Sequence, residues 1–246
     1  MDEKRRQLLT GISLAGAGVL LNACRTGPNS SGGADNRSEP APGEVAPVEV
    51  TAAEDLMREH GILRRALLVY RESATRLRQD PASVPPDTLE KAANLFRVFG
   101  EDYHEKKIEE VFVFPILKKS PGAPALYVDV LLAQHERGRA ITDYVLSLTR
   151  EDRIPPRSVE PLARALESFV RMYEHHAAIE DTVIFPVWKT AVGEAELDAL
   201  AAKFEEIEAE HFGGDGFETA LKRMEEIETS LGLSNLEMFT APEPPQ

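Results

Sequence analysis

Helix-breaking residues constrain this chain more than any other feature. Pro81, Pro85-Pro86, Pro121, Pro155-Pro156 and Gly213-Gly214 separate long stretches in which apolar residues recur at three- and four-residue spacing and never alternate convincingly. Thr51-Ala52-Ala53-Glu54 has the capping-box pattern, and Leu56, Ile62, Leu63, Leu67 and Val69-Tyr70 follow at helical spacing to about Gln79. Asp87-Thr88-Leu89-Glu90 opens a second predicted helix in the same way, running through Leu95, Phe96, Phe99 and Tyr103 towards Leu117. A third is expected over 125–148, a fourth over 158–188, and two more over 193–212 and 217–231. Long helices joined by short connections predict an all-α, up-down four-helix bundle with the final helices packed alongside.

Composition narrows the possible partners. The 246 residues carry a formal charge of -14 and are 42% apolar, enough for a real core. An acidic balance excludes nucleic acid and an anionic membrane surface, which require clustered Lys and Arg. A single cysteine excludes an intramolecular disulfide and any thiolate-rich metal site. Metal ligands, if used, must be imidazoles and carboxylates.

Three organisational segments are expected. Residues 1–23 read as a signal peptide: Lys4-Arg5-Arg6 precedes an apolar run, Leu8 to Ala23, too Gly-rich and short for a comfortable membrane span. Arg5-Arg6 resembles a twin-arginine (Tat) signal, and Leu21-Asn22-Ala23-Cys24 resembles a lipobox, so lipidation of Cys24 is expected. Residues 24–50, rich in Gly, Ser, Pro and Asn, read as a disordered tether, and 51–240 as the helical domain. Together these imply an exported lipoprotein, held at the extracytoplasmic (periplasmic) face of a membrane through its lipid anchor alone.

The chemistry-bearing residues fall in register on the predicted helices. His60, His104, His135 and the His175-His176 pair lie one set per long helix, and a bundle can bring such positions to one interior. His175 must point about 100° away from His176 and reads as outward. Singly, each histidine would more often be an ordinary half-buried residue than a ligand. A repeated device shifts that balance. Glu109-Glu110, three residues, then Phe114-Pro115 matches Glu180-Asp181, three residues, then Phe185-Pro186. Carboxylates carried into a core need cations. The bland alternative leaves both glutamates on solvated faces and lets Phe-Pro end the helices.

Register leaves one question open. His176 and Glu180 are four apart and share a helix face. His104 and Glu109 are five apart, about 140° around an ideal helix. Counted back from the prolines, the position equivalent to His176 is Glu105. Either a π-bulge restores His104, or Glu105 points inward, or both do.

Asp55 to His60, Tyr103-His104-Glu105, Glu109-Glu110, Phe114-Pro115, Gln134-His135-Glu136, His176 to Asp181 and Phe185-Pro186 together resemble the hemerythrin-like (HHE cation-binding) family over about 51–190. Glu210 to Phe217 resembles a C-terminal extension of some bacterial members. The resemblance implies a bundle holding a non-haem di-iron centre through His60, His104, His135, His176, Glu109 and Glu180, with Glu105 a further candidate. It also implies an open position for O2 or NO. Zinc or manganese would suit the same ligands. Oxygen carriers place a second His four residues after the third-helix His, where this chain has Arg139; Asp181 competes with Glu180 for the fourth-helix role.

Three functions remain open: a di-iron module interacting with O2, NO or iron and redox state; a di-iron oxidase or peroxidase-type enzyme; and a metal-free partner-binding bundle. The enzyme could use a ferritin-like pair of Glu-x-x-His motifs, Glu101 to His104 and Glu208 to His211. Tyr103 and Tyr173 could hydrogen-bond near the site, but read first as ordinary core or interface tyrosines.

Overall fold

A computed structural model describes residues 50–120 and 122–245. The signal segment, Cys24 and nearly all of the tether lie outside the described residues. Six helices form the domain. Helix α1 is Ala52–Gln79. Helix α2 runs continuously through Pro86–Leu95, a wide π-helical section Phe96–Val113 and a final turn Phe114–Leu117. Helix α3 is Ala123–Leu148. Helix α4 comprises Val159–Ile179, a π turn Glu180–Ile184, and Phe185–Val192. Helices α5 and α6 are Glu194–Phe212 and Gly216–Ser230. No strand occurs among the described residues.

The helix ends show where sequence chemistry decided. Thr51 caps α1 as the capping box requires: its Oγ1 accepts from Glu54 N–H at 3.4 Å, and Glu54 Oε2 accepts from Thr51 N–H at 2.9 Å. The expected box at Asp87 does not form. Helix α2 starts one residue earlier, at Pro86, without a side-chain cap, because proline at the first helical position already has the right φ and no N–H to satisfy. Asp87 instead accepts from Lys91 at 3.1 Å.

Helices α1 to α4 pack as the predicted bundle, with α1 most extensively against α4. Their shared interior holds an aromatic cluster: Phe96 and Phe169 meet edge-on at 4.7 Å, Tyr70 lies 5.3 Å from Phe169, and Tyr173 stacks on Phe169 at 4.5 Å. Truncating one such ring would cost about 3–5 kcal/mol. Helices α5 and α6 lie across α1 and α2. Arg65 on α1 clamps Glu228 on α6 with two hydrogen bonds, at 2.8 and 2.6 Å. The chain leaves α5 through Gly213, at φ +72°, a left-handed position that favours glycine.

Candidate metal centre

Two proline elbows set the site. Proline lacks an N–H, and its ring clashes with the carbonyl four residues back in a regular helix. A wider turn before Pro115 and before Pro186 removes that clash. Phe114 N–H bonds to Glu109 O, and Phe185 N–H bonds to Glu180 O, both five residues back. In α2 the widening extends back beyond His104, so His104 and Glu109, five apart, lie about one turn from each other. In α4 the preceding helix is regular, and His176 reaches Glu180 in one ordinary turn.

Four imidazoles meet as two pairs. His60 Nε2 lies 3.0 Å from His104 Nε2, and His135 Nε2 lies 3.2 Å from His176 Nε2. Glu109 spans the pairs, with Oε1 3.4 Å from His104 Nε2 and Oε2 3.4 Å from His135 Nε2. Glu180 Oε2 lies 3.0 Å from His176 Nε2 and 3.5 Å from His60 Nε2. All six side chains are buried. The grouped ligand atoms make three sets among the described residues: Glu109, His135, His176 and Glu180; His60, His104 and Glu109; and, on the outer side of His135, Glu105, Glu110 and His135.

The far nitrogen of every ring is committed. His60 Nδ1 faces Asp181 at 2.7 Å and His104 Nδ1 faces Glu59 at 2.7 Å. His135 Nδ1 faces Glu110 at 3.0 Å, and His176 Nδ1 faces Gln134 Oε1 at 2.9 Å. Each partner is an acceptor, so the Nδ1 carries the proton and each Nε2 lone pair points into the centre. Two lone pairs at 3 Å repel. Both oxygens of Glu109 and of Glu180 also lack a hydrogen-bond donor among the described residues. Converging lone pairs beside donorless buried carboxylates are costly, and a cation between them relieves both. The donor set therefore fits metal ions, and its mix of imidazole and carboxylate suits iron, zinc or manganese.

Titration behaviour carries the same signature. Burial opposes charging of His104, but Glu109 and Glu59 outweigh it and hold the imidazole well above its ordinary pKa. For His135 burial is likewise outweighed, by Glu105, Glu109 and Glu110, which raise it to about 10. Burial dominates at His176, pushed down to about 3, and lowers His60 despite Asp181. Glu180 is pushed well above the carboxylate range by burial and by Glu109. Glu109 itself is held well below that range: burial opposes its ionisation, but His104 and His135 prevail. Without a metal, a proton on His135 stands in for the cation and relieves part of the lone-pair repulsion that neutral rings would suffer.

The remaining predicted residues sort clearly. Glu105 is buried but turned from the paired imidazoles: its Oε1 accepts from Tyr173 O–H at 2.5 Å and its Oε2 from Arg139 at 2.9 Å. Its nearest approach to the cluster is 3.8 Å, to His135 Nδ1. Asp181 braces His60 and is paired with Arg64, while Glu180 takes the central position. His175 is exposed, as expected. Of the ferritin-like alternative, Glu101 Oε1 accepts from Thr142 at 2.5 Å, and Glu208 Oε1 from Phe217 N–H at 2.8 Å. His211 Nε2 faces Val98 O at 3.2 Å. Glu101, Glu208 and His211 join none of the ligand groupings among the described residues.

Sequence reasoning missed the bracing residues, although their pattern was readable. Glu59-His60 with Arg64 on α1 is repeated as Gln134-His135 with Arg139 on α3. In each, the residue before the His holds the next helix's imidazole, and the Arg pairs with the acid that holds the His itself. Phe185 stacks on His60 at 5.4 Å, and Phe114 on His135 at 5.5 Å. Tyr173 takes the hydrogen-bonding role, the second reading of its sequence position; its seat is Gly138, where a Cβ would lie 2.2 Å from the phenol oxygen. Beside the centre, His60, His104, His176, Leu63, Leu67 and Tyr173 line a cavity of about 10 Å3. That is room for about one water-sized molecule.

Comparison with known proteins agrees with this geometry. The family model for the hemerythrin HHE cation binding domain matches residues 51–188, and again 126–232. The offset between the two starts carries Glu59-His60 onto Gln134-His135 and Arg64 onto Arg139. Uncharacterized proteins of Mycobacterium bovis (strain ATCC BAA-935 / AF2122/97) and Mycobacterium tuberculosis (strain ATCC 25618 / H37Rv) are each 41% identical over 240 residues, covering 96% of this chain and 90% of theirs. No solved structure matches the chain significantly. With its family match spanning the bundle and its paired imidazoles converging on two shared carboxylates, the chain belongs to the hemerythrin HHE cation-binding domain family.

Proposed function

We propose that this protein binds two iron ions, which His60, His104, His135, His176, Glu109 and Glu180 would hold. On this reading it interacts with a small ligand such as O2 or NO at the cell envelope. The observation that carries it is the convergence of four Nε2 atoms on two buried carboxylates that have no hydrogen-bond partner among the described residues. Bridging carboxylates favour a pair of ions over one. The iron supplies redox and ligand-binding chemistry when bound. The chain's residues orient it: Asp181, Glu59, Glu110 and Gln134 hold the far nitrogens of the rings, and Leu63 and Leu67 line the small cavity together with Arg64 and Glu105.

Elemental analysis of anaerobically prepared protein tests the stoichiometry, with about two irons per chain expected. His104→Ala should lose most bound metal, whereas Glu105→Ala should keep at least part of it. Full metal retention in His104→Ala would overturn the assignment. Export and lipidation at Cys24 belong to the same proposal. Among the described residues no helix is long and apolar enough to cross a membrane; on this proposal the lipid on Cys24 is what attaches the protein. Fractionation of cells expressing wild type and Cys24→Ala tests it: wild type in the membrane fraction and the variant released from it are expected. Unprocessed, cytosolic wild type would refute it.

A further inference from the structure

We propose that Tyr173 is a one-electron donor to the metal centre and that Glu105 takes its proton. The proposal rests on the metal-binding reading above. Oxidising a phenol near neutral pH requires its proton to leave with the electron, so the hydroxyl needs a base already in hydrogen-bond contact. Tyr173 O–H donates to Glu105 Oε1 at 2.5 Å, and Arg139 anchors the other oxygen of that carboxylate at 2.9 Å. Both Tyr173 and Glu105 are buried, which keeps solvent from a radical. The Tyr173 ring centroid lies 5.2 Å from that of His176, and the tyrosine shares the small cavity with three of the four imidazoles.

This arrangement is built rather than incidental. Gly138 stands mid-helix in α3, and any side chain there would occupy the position of the phenol oxygen. Glu105 lies in the segment between His104 and Glu109, whose five-residue spacing is one longer than the His176-to-Glu180 spacing of α4. Tyr70 supplies the contrast. It is buried in the same aromatic cluster, but its hydroxyl has no hydrogen-bond partner among the described residues, so its proton has nowhere to go.

The oxidant is hydrogen peroxide. Its O–O bond takes two electrons and two protons to give two waters. Tyr173 supplies one electron and a reduced bound metal ion the other. The phenol O–H breaks, its proton forms a new O–H bond on Glu105, and the two protons for water come from solvent.

The test loads the full chain anaerobically with ferrous iron, records iron content, adds hydrogen peroxide and freezes the sample for electron paramagnetic resonance. An organic-radical signal is expected in wild type and in Tyr70→Phe, and its loss in Tyr173→Phe with iron content unchanged. Glu105→Gln, which keeps a hydrogen-bond acceptor but no base, should slow radical formation by about a hundredfold or more. Ring-deuterated tyrosine in the wild-type protein must narrow the signal, a measurement independent of any variant's folding. Iron-loaded wild type without a radical, or a signal that survives Tyr173→Phe, overturns this inference alone. Wild type that binds no iron overturns the metal-binding reading, and this inference with it.

Discussion

Arg139 stands where an oxygen carrier would place a second imidazole on the third helix, and its neighbours explain the exchange. Its guanidinium reaches Glu105, Glu110 and Glu136, and only 8% of the residue is exposed. A permanent cation here neutralises acids that would otherwise crowd His135, and it fixes Glu110 on His135 Nδ1. Arg139→Ala should therefore act twice. Leaving Glu105 without its cation should lower stability by about 3–5 kcal/mol, read by denaturant unfolding of the metal-free protein. A looser Glu110 should weaken metal binding by about 10–100-fold, read by competition with a chelator. Gly138→Ala should cost about 1–3 kcal/mol in thermal unfolding, because its methyl group needs the space of the Tyr173 hydroxyl.

At the scale of elements, the Phe-Pro elbows convert a sequence irregularity into site geometry. Pro115→Ala restores an N–H for Val111 O and removes the clash, which lets α2 relax towards a regular helix. His104 would then swing away from Glu109. The expected outcome is unchanged or slightly higher stability in thermal unfolding, with metal affinity reduced by about 10-fold or more. The number of helices, their breaks and the facing glutamates were legible in the sequence, since each depends on local spacing. The choice between His104 and Glu105 was not. It depends on how far the wide turns extend back from Pro115, which is settled by packing of Phe96, Phe99 and Ile108 rather than by any local signal. The Asp87 cap failed for a related reason, because Pro85-Pro86 fixed the start of α2 first. The choice between the two readings of Tyr173 could be made only once α3 brought Gly138 against it.

For the whole molecule, loading and acidity are linked. In the metal-free protein His135, raised to about 10, holds a proton at neutral pH, and a metal must displace it; the upward shifts of His104 and Glu180 act in the same direction. Metal binding should acidify an unbuffered solution, and affinity should rise with pH. The sign for stability is the reverse. His135 is raised above its ordinary value of about 6.5, so its contribution to the metal-free fold is complete below that pH and fades as pH climbs through about 10. Chemical unfolding of metal-free protein between neutral and strongly alkaline pH checks this. Trp188 gives both experiments an optical readout: it is the single tryptophan, fully buried, and its Nε1–H donates to Phe112 O at 3.0 Å, tying the elbow of α4 to that of α2. Its emission should respond to loading and should redden on unfolding.

The doubled bracing pattern has a historical meaning. Helices α1 and α2 carry a His with its Arg, a second His, one acid pair and one Phe-Pro; α3 and α4 carry the same kinds of residue in the same order. Neither hairpin encloses a centre alone, because each acid pair serves a histidine on the other hairpin or between the two. Tandem copying of a single ancestral hairpin gene would build such a centre in one event, with the two copies related as halves of a dimer.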